Sequence, residues 1–176
     1  EFDNSNGNYS IGLNAGSNLA PTGINNIALG SSALLNANTG YNNIAIGETS
    51  IQSITSGYKN IGIGKSTLFN NDTGSYNIAI GDSALFNNLI SRNIAIGNSA
   101  LLTNSNGANN IAIGNRSLES NTSGNDNTAI GTSAMINMTT GRENTSVGFQ
   151  AMRGAVAGSN SYYNTAIGYN ALLNIA

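Results

Sequence analysis

A short glycine-rich segment, GIGKST at residues 62–67, ends like a phosphate-binding loop. That motif needs another glycine five residues before its final Gly-Lys pair, and this position is occupied by Lys59. Gly62 and Gly64 instead fit a repeat that runs through the whole chain. We therefore expect no nucleotide to bind at this segment.

Glu48 and Asp82 are two carboxylates of the kind that glycoside hydrolases pair at an active site, and Lys65 stands midway between them in the sequence. On successive coils of a repeat, the lysine would lie about 5 Å from each carboxylate. A catalytic pair needs environments that push its two pKa values apart, whereas a lysine between them would lower both. We expect a modest surface charge ladder. Hydrolysis is a minority hypothesis, and the chain is expected not to be an enzyme.

Five tyrosines are the best candidates for a ligand-binding site. Three of them follow a glycine, directly or by one residue, at intervals of about one repeat, and two are adjacent where the repeat spacing is longest. Tyrosine has a flat apolar face and a polar end, which suits sugar stacking and protein contact. The competing interpretation is that these rings only cover a corner of the fold or a neighbouring chain. The candidates are Tyr41, Tyr58, Tyr76, Tyr162 and Tyr163.

Composition excludes several other functions. Six Lys and Arg are scattered singly and the formal net charge is −2, so neither nucleic acid nor an anionic membrane is an expected partner. Without cysteine or histidine, disulfides, zinc–thiolate sites and the commonest general base are absent. No apolar run approaches the roughly 18 residues of a membrane span, so direct membrane insertion is not expected. We expect no catalytic residue, metal or cofactor.

The elements that must position these residues come from one repeated tetrad, for example Ile44-Ala45-Ile46-Gly47. Its final glycine, the anchor glycine, recurs at intervals of about 17 residues, and a period this short predicts a solenoid with one coil per repeat. We assign residues 1–7 as a lead-in and residues 8–176 as one repeat domain, truncated in its last coil. The anchor glycines are Gly12, Gly30, Gly47, Gly64, Gly81, Gly97, Gly114, Gly131, Gly148 and Gly168.

Positions counted from the anchor glycine show what each coil requires. Position −4 is asparagine in every repeat, which predicts a ladder of amide hydrogen bonds from coil to coil. A second glycine near position +10 usually follows Thr, Ser or Asn, so two corners separate two short strands. The predicted fold is all-β, a parallel roll or solenoid of about ten coils. The asparagine ladder includes Asn26, Asn43, Asn60, Asn77, Asn93, Asn110, Asn127 and Asn144.

The tetrad reads as a strand in which positions −3 and −1 face one side and position −2 faces the other. We expect the large residues to face the core, and the Ala, Ser or Gly at −2 to face a close neighbour. A lone coil offers about three large aliphatic side chains, which is a thin core. Several chains are therefore expected to share it as a cyclic homo-oligomer. Expected core residues at −1 are Ile46, Ile63, Ile80, Ile96, Ile113 and Ile130.

Repeats such as NIAIGDSALFNN and NTAIGTSAMINMTTG resemble the head repeats of YadA-like trimeric autotransporter adhesins and related fibre-tip repeats of phages and bacteria. The resemblance covers nearly the whole chain. It implies a left-handed parallel β-roll in a side-by-side homotrimer, and a head that binds a host or prey cell-surface glycan or protein. The implied location is extracellular, on a bacterial surface fibre or a virion or phage tail fibre. The family's coil is shorter, and no stalk or anchor pattern is visible here.

Three functions remain open from the sequence. The first is an adhesive or receptor-binding segment of a trimeric fibre. The second is a structural spacer of such a fibre, which would bind no ligand itself. The third is a single-chain ice-binding solenoid, for which Thr128, Thr145 and Thr165 at position −3 would supply only a short hydroxyl array.

Overall fold

Each tetrad forms a three-residue strand, because alternating β-branched side chains pack well on a pleated surface. The structure is a computed structural model and describes residues 6–154 and 161–173. The strands are β1 (Tyr9–Ile11), β2 (Ile27–Leu29), β3 (Ile44–Ile46), β4 (Ile61–Ile63), β5 (Ile78–Ile80), β6 (Ile94–Ile96), β7 (Ile111–Ile113), β8 (Thr128–Ile130), β9 (Thr145–Val147) and β10 (Thr165–Ile167).

The ten strands pair in chain order in one parallel sheet. Equivalent positions are always partners, as where Ile61, Gly62 and Ile63 pair with Ile78, Ala79 and Ile80. Consecutive parallel strands in this order require the chain to complete one coil between them. The fold is therefore an all-β parallel solenoid of nine to ten turns, with one repeat of about 17 residues in each turn. This finding confirms the parallel solenoid predicted from the period. The expectation of two short strands per coil is wrong, because each coil of the described residues contributes one strand and forms turns elsewhere.

The interior of each coil is filled by small residues of the strand and by one large residue from the opposite side. Position −2 is buried in strands β2 to β10, as Ala79 in β5 illustrates at 0% exposure. Position +4 is buried too in the repeats of β2 to β9, and Leu85 occupies it in the same repeat as Ala79. The expectation that position −2 faces a neighbouring chain is therefore wrong, because residues of the same chain cover it. Buried residues at +4 are Leu34, Ile51, Leu68, Leu85, Leu101, Leu118, Met135 and Met152.

The large residues at −3 and −1 lie on the outside of the sheet, which reverses the expected faces. We call this outer surface of strands β1 to β10 the isoleucine face. Most of its side chains are half-buried, and Ile63 and Ile130 are each 37% exposed. The prediction that the −1 residues fill the core of the coil is therefore wrong for Ile46, Ile63, Ile80, Ile96, Ile113 and Ile130. The coil is too narrow to hold two large side chains from the strand as well as Leu at +4.

The turn after each strand has an unusual backbone. The anchor glycines have φ between 123° and 138°, a range that residues with a Cβ rarely adopt. A Cβ on Gly64 would also lie 2.7 Å from the carbonyl oxygen of Gly81 in the next coil. Positions +2 and +4 then take left-handed conformations, for example Ser83 (φ 56°) and Leu85 (φ 53°). Their amides bond to neighbouring coils, Ser83 to Lys65 and Leu85 to Ala100, so the stacking of coils maintains this backbone.

Regular structure in residues 6–154 and 161–173 consists of strands and turns. In this part of the chain, no helix is long and apolar enough to cross a membrane.

Candidate ligand-binding surface

The position −4 asparagines form a continuous buried ladder beside the sheet. Asn60 is representative: its backbone N–H and its Nδ2 both donate to Oδ1 of Asn43, at 3.0 and 3.1 Å. Nδ2 also donates to the carbonyl oxygen of Gly74 in the next coil, at 2.8 Å. The eight predicted ladder residues, from Asn26 to Asn144, are at most 1% exposed. Their amides are satisfied inside the solenoid, so this ladder positions the corner of each coil and offers no site to a ligand.

A second asparagine ladder lies inside the coils at position +7. Asn121 donates from Nδ2 to Oδ1 of Asn104 at 2.8 Å, and Asn104 donates to Asn88 at 2.8 Å. These side chains also bind the carbonyl group at the second glycine corner, as Asn104 does at Gly107. We missed this ladder in the sequence because position +7 also contains alanine, isoleucine and methionine. The sequence signal for this ladder is asparagine at position +7 in four successive coils.

Tyr41, Tyr58 and Tyr76 form a ladder of a different kind, on the outside of the corner that precedes the sheet. We call these three residues the tyrosine ladder. The rings of Tyr41 and Tyr58 are stacked, with centroids 4.8 Å apart and an interplanar angle of 5°. The ring of Tyr76 meets that of Tyr58 edge-on, at 5.2 Å and 73°. The structure therefore brings these three candidates into one continuous aromatic surface. Within it, the Tyr76 residue is 44% exposed to solvent.

The backbone beneath the tyrosine ladder is fixed by hydrogen bonds between coils. The amide of Tyr76 donates to the Tyr58 carbonyl oxygen at 3.1 Å, and the amide of Arg92 donates to the Ser75 carbonyl oxygen at 3.0 Å. Lys59, Tyr76 and Arg92 share position −5, and all three have left-handed backbones, with φ of 55°, 59° and 66°. One exposed column therefore presents a lysine, a tyrosine and an arginine on three successive coils.

Lys59 contacts the tyrosine ladder directly. Its Nζ lies 5.3 Å from the centroid of the Tyr76 ring, within the distance of a cation–π interaction.

The side-chain hydrogen bond to Tyr76, with further contributions from the charge of Tyr76, burial and Tyr41, raises the pKa of Tyr58. The Tyr58 hydroxyl thus stays neutral to higher pH than an isolated tyrosine would, and it remains a hydrogen-bond donor.

The other two candidates, Tyr162 and Tyr163, form a separate pair near the last coil. Their ring centroids are 6.4 Å apart and tilted by 53°, and Tyr163 is 76% exposed. They lie in the −6 and −5 columns, as Tyr58 and Tyr76 do, but several coils away, so the five tyrosines do not make one site. Part of the longest repeat interval, residues 155–160, falls outside the described residues.

Two further aromatic stacks were not predicted from the sequence. Phe69 and Phe86, at position +5, are parallel with centroids 5.0 Å apart. Phe149 and Tyr169, at position +1, are stacked at 5.4 Å and 9°. In both cases the sequence signal is an aromatic pair in the same column on successive coils. The same rule identified the tyrosine ladder.

The groups that first suggested catalysis are arranged as surface pairs. Lys65 Nζ lies 3.1 Å from Glu48 Oε2, with both side chains more than half exposed, whereas Asp82 accepts a hydrogen bond from its neighbour Ser83. In the segment GIGKST, the amides of Gly64 and Ser66 donate to carbonyl oxygens of the preceding coil. They are not directed at a common anion position, as the amides of a phosphate-binding loop are.

A concave space of about 530 Å³ lies at the first coil, next to the edge strand β1. Its lining is uncharged and consists mostly of small residues, among them Asn8, Ser10 and Ala15. It continues the interior of the solenoid and contains no chemically distinctive group.

Comparisons of the chain with protein-family models, with curated proteins and with solved structures gave no match.

Proposed function

We propose that this chain is a non-enzymatic, adhesive segment of a homotrimeric surface fibre that binds a cell-surface glycan or protein. In this proposal three solenoids lie side by side with parallel axes, and each coil is left-handed, as the resemblance to YadA-like head repeats implies. The fibre is extracellular, on a bacterial surface or on a virion or phage tail. The single observation that carries the proposal is the isoleucine face.

The isoleucine face is uncharged along the whole sheet and is aliphatic throughout β2 to β7. Positions −3 and −1 of β2 to β7 are all Ile or Leu, β8 to β10 have Thr at −3, and β9 has Val147 at −1. Ten strands spaced about 4.8 Å apart and about 10 Å wide give a flat area of roughly 480 Å². Contiguous apolar patches of several hundred Å² on soluble proteins are often interaction sites. A second copy of the chain matches this face in both its apolar character and its spacing.

The proposed contact between chains uses the −3 and −1 side of the strand and not the −2 side. The sequence placed the neighbouring chain against the small residues at −2, which the structure buries within the coil. The half-exposed isoleucines now provide the reason for association, because burying them removes apolar surface from water at about 25 cal/mol per Å². Parallel packing along the rods lets every coil make the same contact.

The spacer and ice-binding hypotheses make different use of the same solenoid. A spacer would keep the trimer but leave the tyrosine ladder without a ligand. An ice-binding solenoid would keep the face free as a monomer, using the register of Thr128, Thr145 and Thr165 on β8 to β10. Only these three strands have threonine at −3, whereas six strands have an aliphatic residue there. We therefore favour association of the chains through this face over ice binding.

Native mass measured by light scattering behind a sizing column tests the proposal. One chain has a mass of 18.0 kDa, and a trimer should give three times that value. A trimer at micromolar protein concentration is the expected result. A stable species with the mass of a single chain over the same range would contradict the fibre proposal and favour the single-chain solenoid.

A further inference from the structure

The outer corner of the third to sixth coils combines stacked aromatic rings with two cations. Tyr41, Tyr58 and Tyr76 supply about three coils of aromatic surface, while Lys59 and Arg92 stand on either side of Tyr76 in the same column. Two coil steps of about 4.8 Å place the backbones of Lys59 and Arg92 about 10 Å apart. The arrangement is a row of aromatic rings, two stacked and the third edge-on, in which a positive group stands on either side of Tyr76.

Neither cation has a carboxylate partner in the part of the chain that the structure describes. The ion pairs found there join Lys65 to Glu48 and Arg116 to Glu119. Asp72, the acidic residue closest in sequence to Tyr76, accepts a hydrogen bond from the Thr55 hydroxyl. The charges of Lys59 and Arg92 are therefore available to an external anion.

The same column changes sign further along the rod. Position −5 is Asn109, then Asp126, then Glu143 in the three coils after Arg92, and all three side chains are at the surface. Along this column, a polyanion is therefore attracted at Lys59 and Arg92 and repelled at Asp126 and Glu143. A net charge of −2 also argues against indiscriminate binding of polyanions by the whole surface.

We propose that Tyr41, Tyr58, Tyr76, Lys59 and Arg92 form a binding site for an acidic glycan. Sugar rings pack against the exposed surface of this aromatic row, chiefly that of Tyr76, which is 44% exposed and combines an apolar ring with a polar hydroxyl. Lys59 and Arg92 pair with carboxylate or sulfate groups on the glycan, and the planar guanidinium of Arg92 can do so through two parallel hydrogen bonds. This inference deepens the proposed adhesive function and rests on it.

The column itself supplies variants that should keep the fold. Asparagine occupies position −5 at Asn42 and Asn109 with φ of 56° and 57°, and it tolerates this left-handed region well. Lys59→Asn, Tyr76→Asn and Arg92→Asn therefore each install a residue that the solenoid already uses there. Lys65→Asn is the matched control, since it removes one exposed lysine at position +1, where Asn98 and Asn115 are native.

The experiment measures binding of the full chain to three immobilised probes by biolayer interferometry. They are heparin fragments (sulfated), hyaluronan fragments (carboxylated) and neutral dextran. We expect one or both acidic probes to bind and dextran not to bind. Lys59→Asn and Arg92→Asn each remove a charge-assisted hydrogen bond, and Tyr76→Asn removes an aromatic contact. Each of these three variants should bind the acidic probe about tenfold more weakly than the unchanged chain. Lys65→Asn should bind as the unchanged chain does.

The two acidic probes identify the source of the negative charge. Binding to heparin alone assigns sulfated glycans, and binding to hyaluronan alone assigns carboxylated ones, and either result supports the site. Absence of binding to both probes would overturn the inference. It would also be overturned if Tyr76→Asn bound normally, or if Lys65→Asn lost as much affinity as Lys59→Asn, because the attraction would then be general charge.

Native mass measured on the same samples separates this inference from the fibre proposal. A trimer that binds neither acidic probe would overturn the glycan site and leave the fibre proposal in place. A monomer that binds an acidic probe through Lys59, Tyr76 and Arg92 would support the site and overturn the fibre proposal. If Tyr76→Asn dissociated the oligomer, the tyrosine ladder would be a contact between chains, which would also overturn the site.

Discussion

A Cβ on Gly62 would lie 2.7 Å from Oγ1 of Thr67, within the interior of the solenoid. It would also meet Oγ of Ser50 at 2.7 Å and Cγ1 of Ile51 at 2.8 Å. The two hydroxyl oxygens are themselves 2.7 Å apart. Gly62 is the only glycine at position −2, and the adjoining position +3 residues Ser50 and Thr67 are larger than the alanines found in many coils. A smaller residue in the strand at position −2 is therefore accompanied by larger residues in the turns at position +3, and together they fill the interior.

Gly62→Ala should destabilise the solenoid although alanine is the usual residue at this position. Overpacking of a filled interior costs about 1–3 kcal/mol, and here the hydroxyls of Ser50 and Thr67 would have to move. The same change in a Ser50→Ala, Thr67→Ala background should cost less, because both clashing oxygens are then absent. Urea unfolding of the four variants of this cycle measures the difference. Equal costs in both backgrounds would show that the contact does not limit the packing.

Replacing two residues of the isoleucine face by lysine should dissociate the proposed oligomer without unfolding the coil. Ile80→Lys with Ile96→Lys would place two unpaired charges in an apolar contact between chains, which is strongly unfavourable. In a separated chain the same lysines would reach solvent. Light scattering should report 18.0 kDa, and circular dichroism should retain the strand signal.

Asn98→Lys is the control for this pair, because Lys65 is native at the same position +1. It should leave the native mass unchanged. An unchanged oligomer in the double lysine variant would show that the chains associate through another surface.

Asn60→Ala should remove a large part of the stability of the asparagine ladder. The change leaves the amide of Asn77 without its acceptor, and it deprives the carbonyl of Gly74 and Oδ1 of Asn43 of one donor each. A buried group left unsatisfied costs about 1–3 kcal/mol, so we expect a loss of about 3 kcal/mol in urea unfolding. The exposed Asn98→Ala should stay within about 0.5 kcal/mol. Similar effects for the two variants would refute a special role for the ladder.

Tyr76→Asn should lower the pKa of Tyr58 toward its ordinary value, because the hydrogen bond with Tyr76 is the largest cause of its elevation. An elevated pKa in the folded chain means that the neutral hydroxyl is stabilised. This contribution is present below the ordinary pKa of 10.0 and is lost as pH rises through the elevated value. Tyrosinate absorbance during alkaline titration should show a late component that moves to lower pH in the variant. Tyr169→Ser should reduce the total signal without moving that component.

The period, the parallel strands and their register could be predicted from the sequence because every coil repeats the same requirements. The direction of the strand faces could not. Alternation shows that Ile78 and Ile80 share a side and that Ala79 faces the other way, but it does not say which side is enclosed. Which side is enclosed depends on the volume that Leu85 and the inner asparagines leave inside the coil. In so short a coil this volume holds one methyl group, such as that of Ala79.

The candidate site was predictable in part for a related reason. Tyrosines separated by one repeat must lie near each other in a solenoid, so Tyr41, Tyr58 and Tyr76 were found by spacing alone. The contribution of Lys59 was missed, because it stands one position later than Tyr58 in its coil and one coil before Tyr76. Only the stacking of coils brings its ammonium group to the Tyr76 ring.

The hydrogen bonds of this fold run along the rod, from each coil to the next, as in the pairing of β4 with β5. A force that pulls on the two ends of a single solenoid therefore loads the hydrogen bonds between the terminal coil and its neighbour first. The coils are then released one after another. Each released coil of about 17 residues can extend to about 58 Å, whereas it occupied only about 5 Å of the rod. Under tension such a rod would lengthen in steps of about 50 Å, and each step would absorb mechanical work.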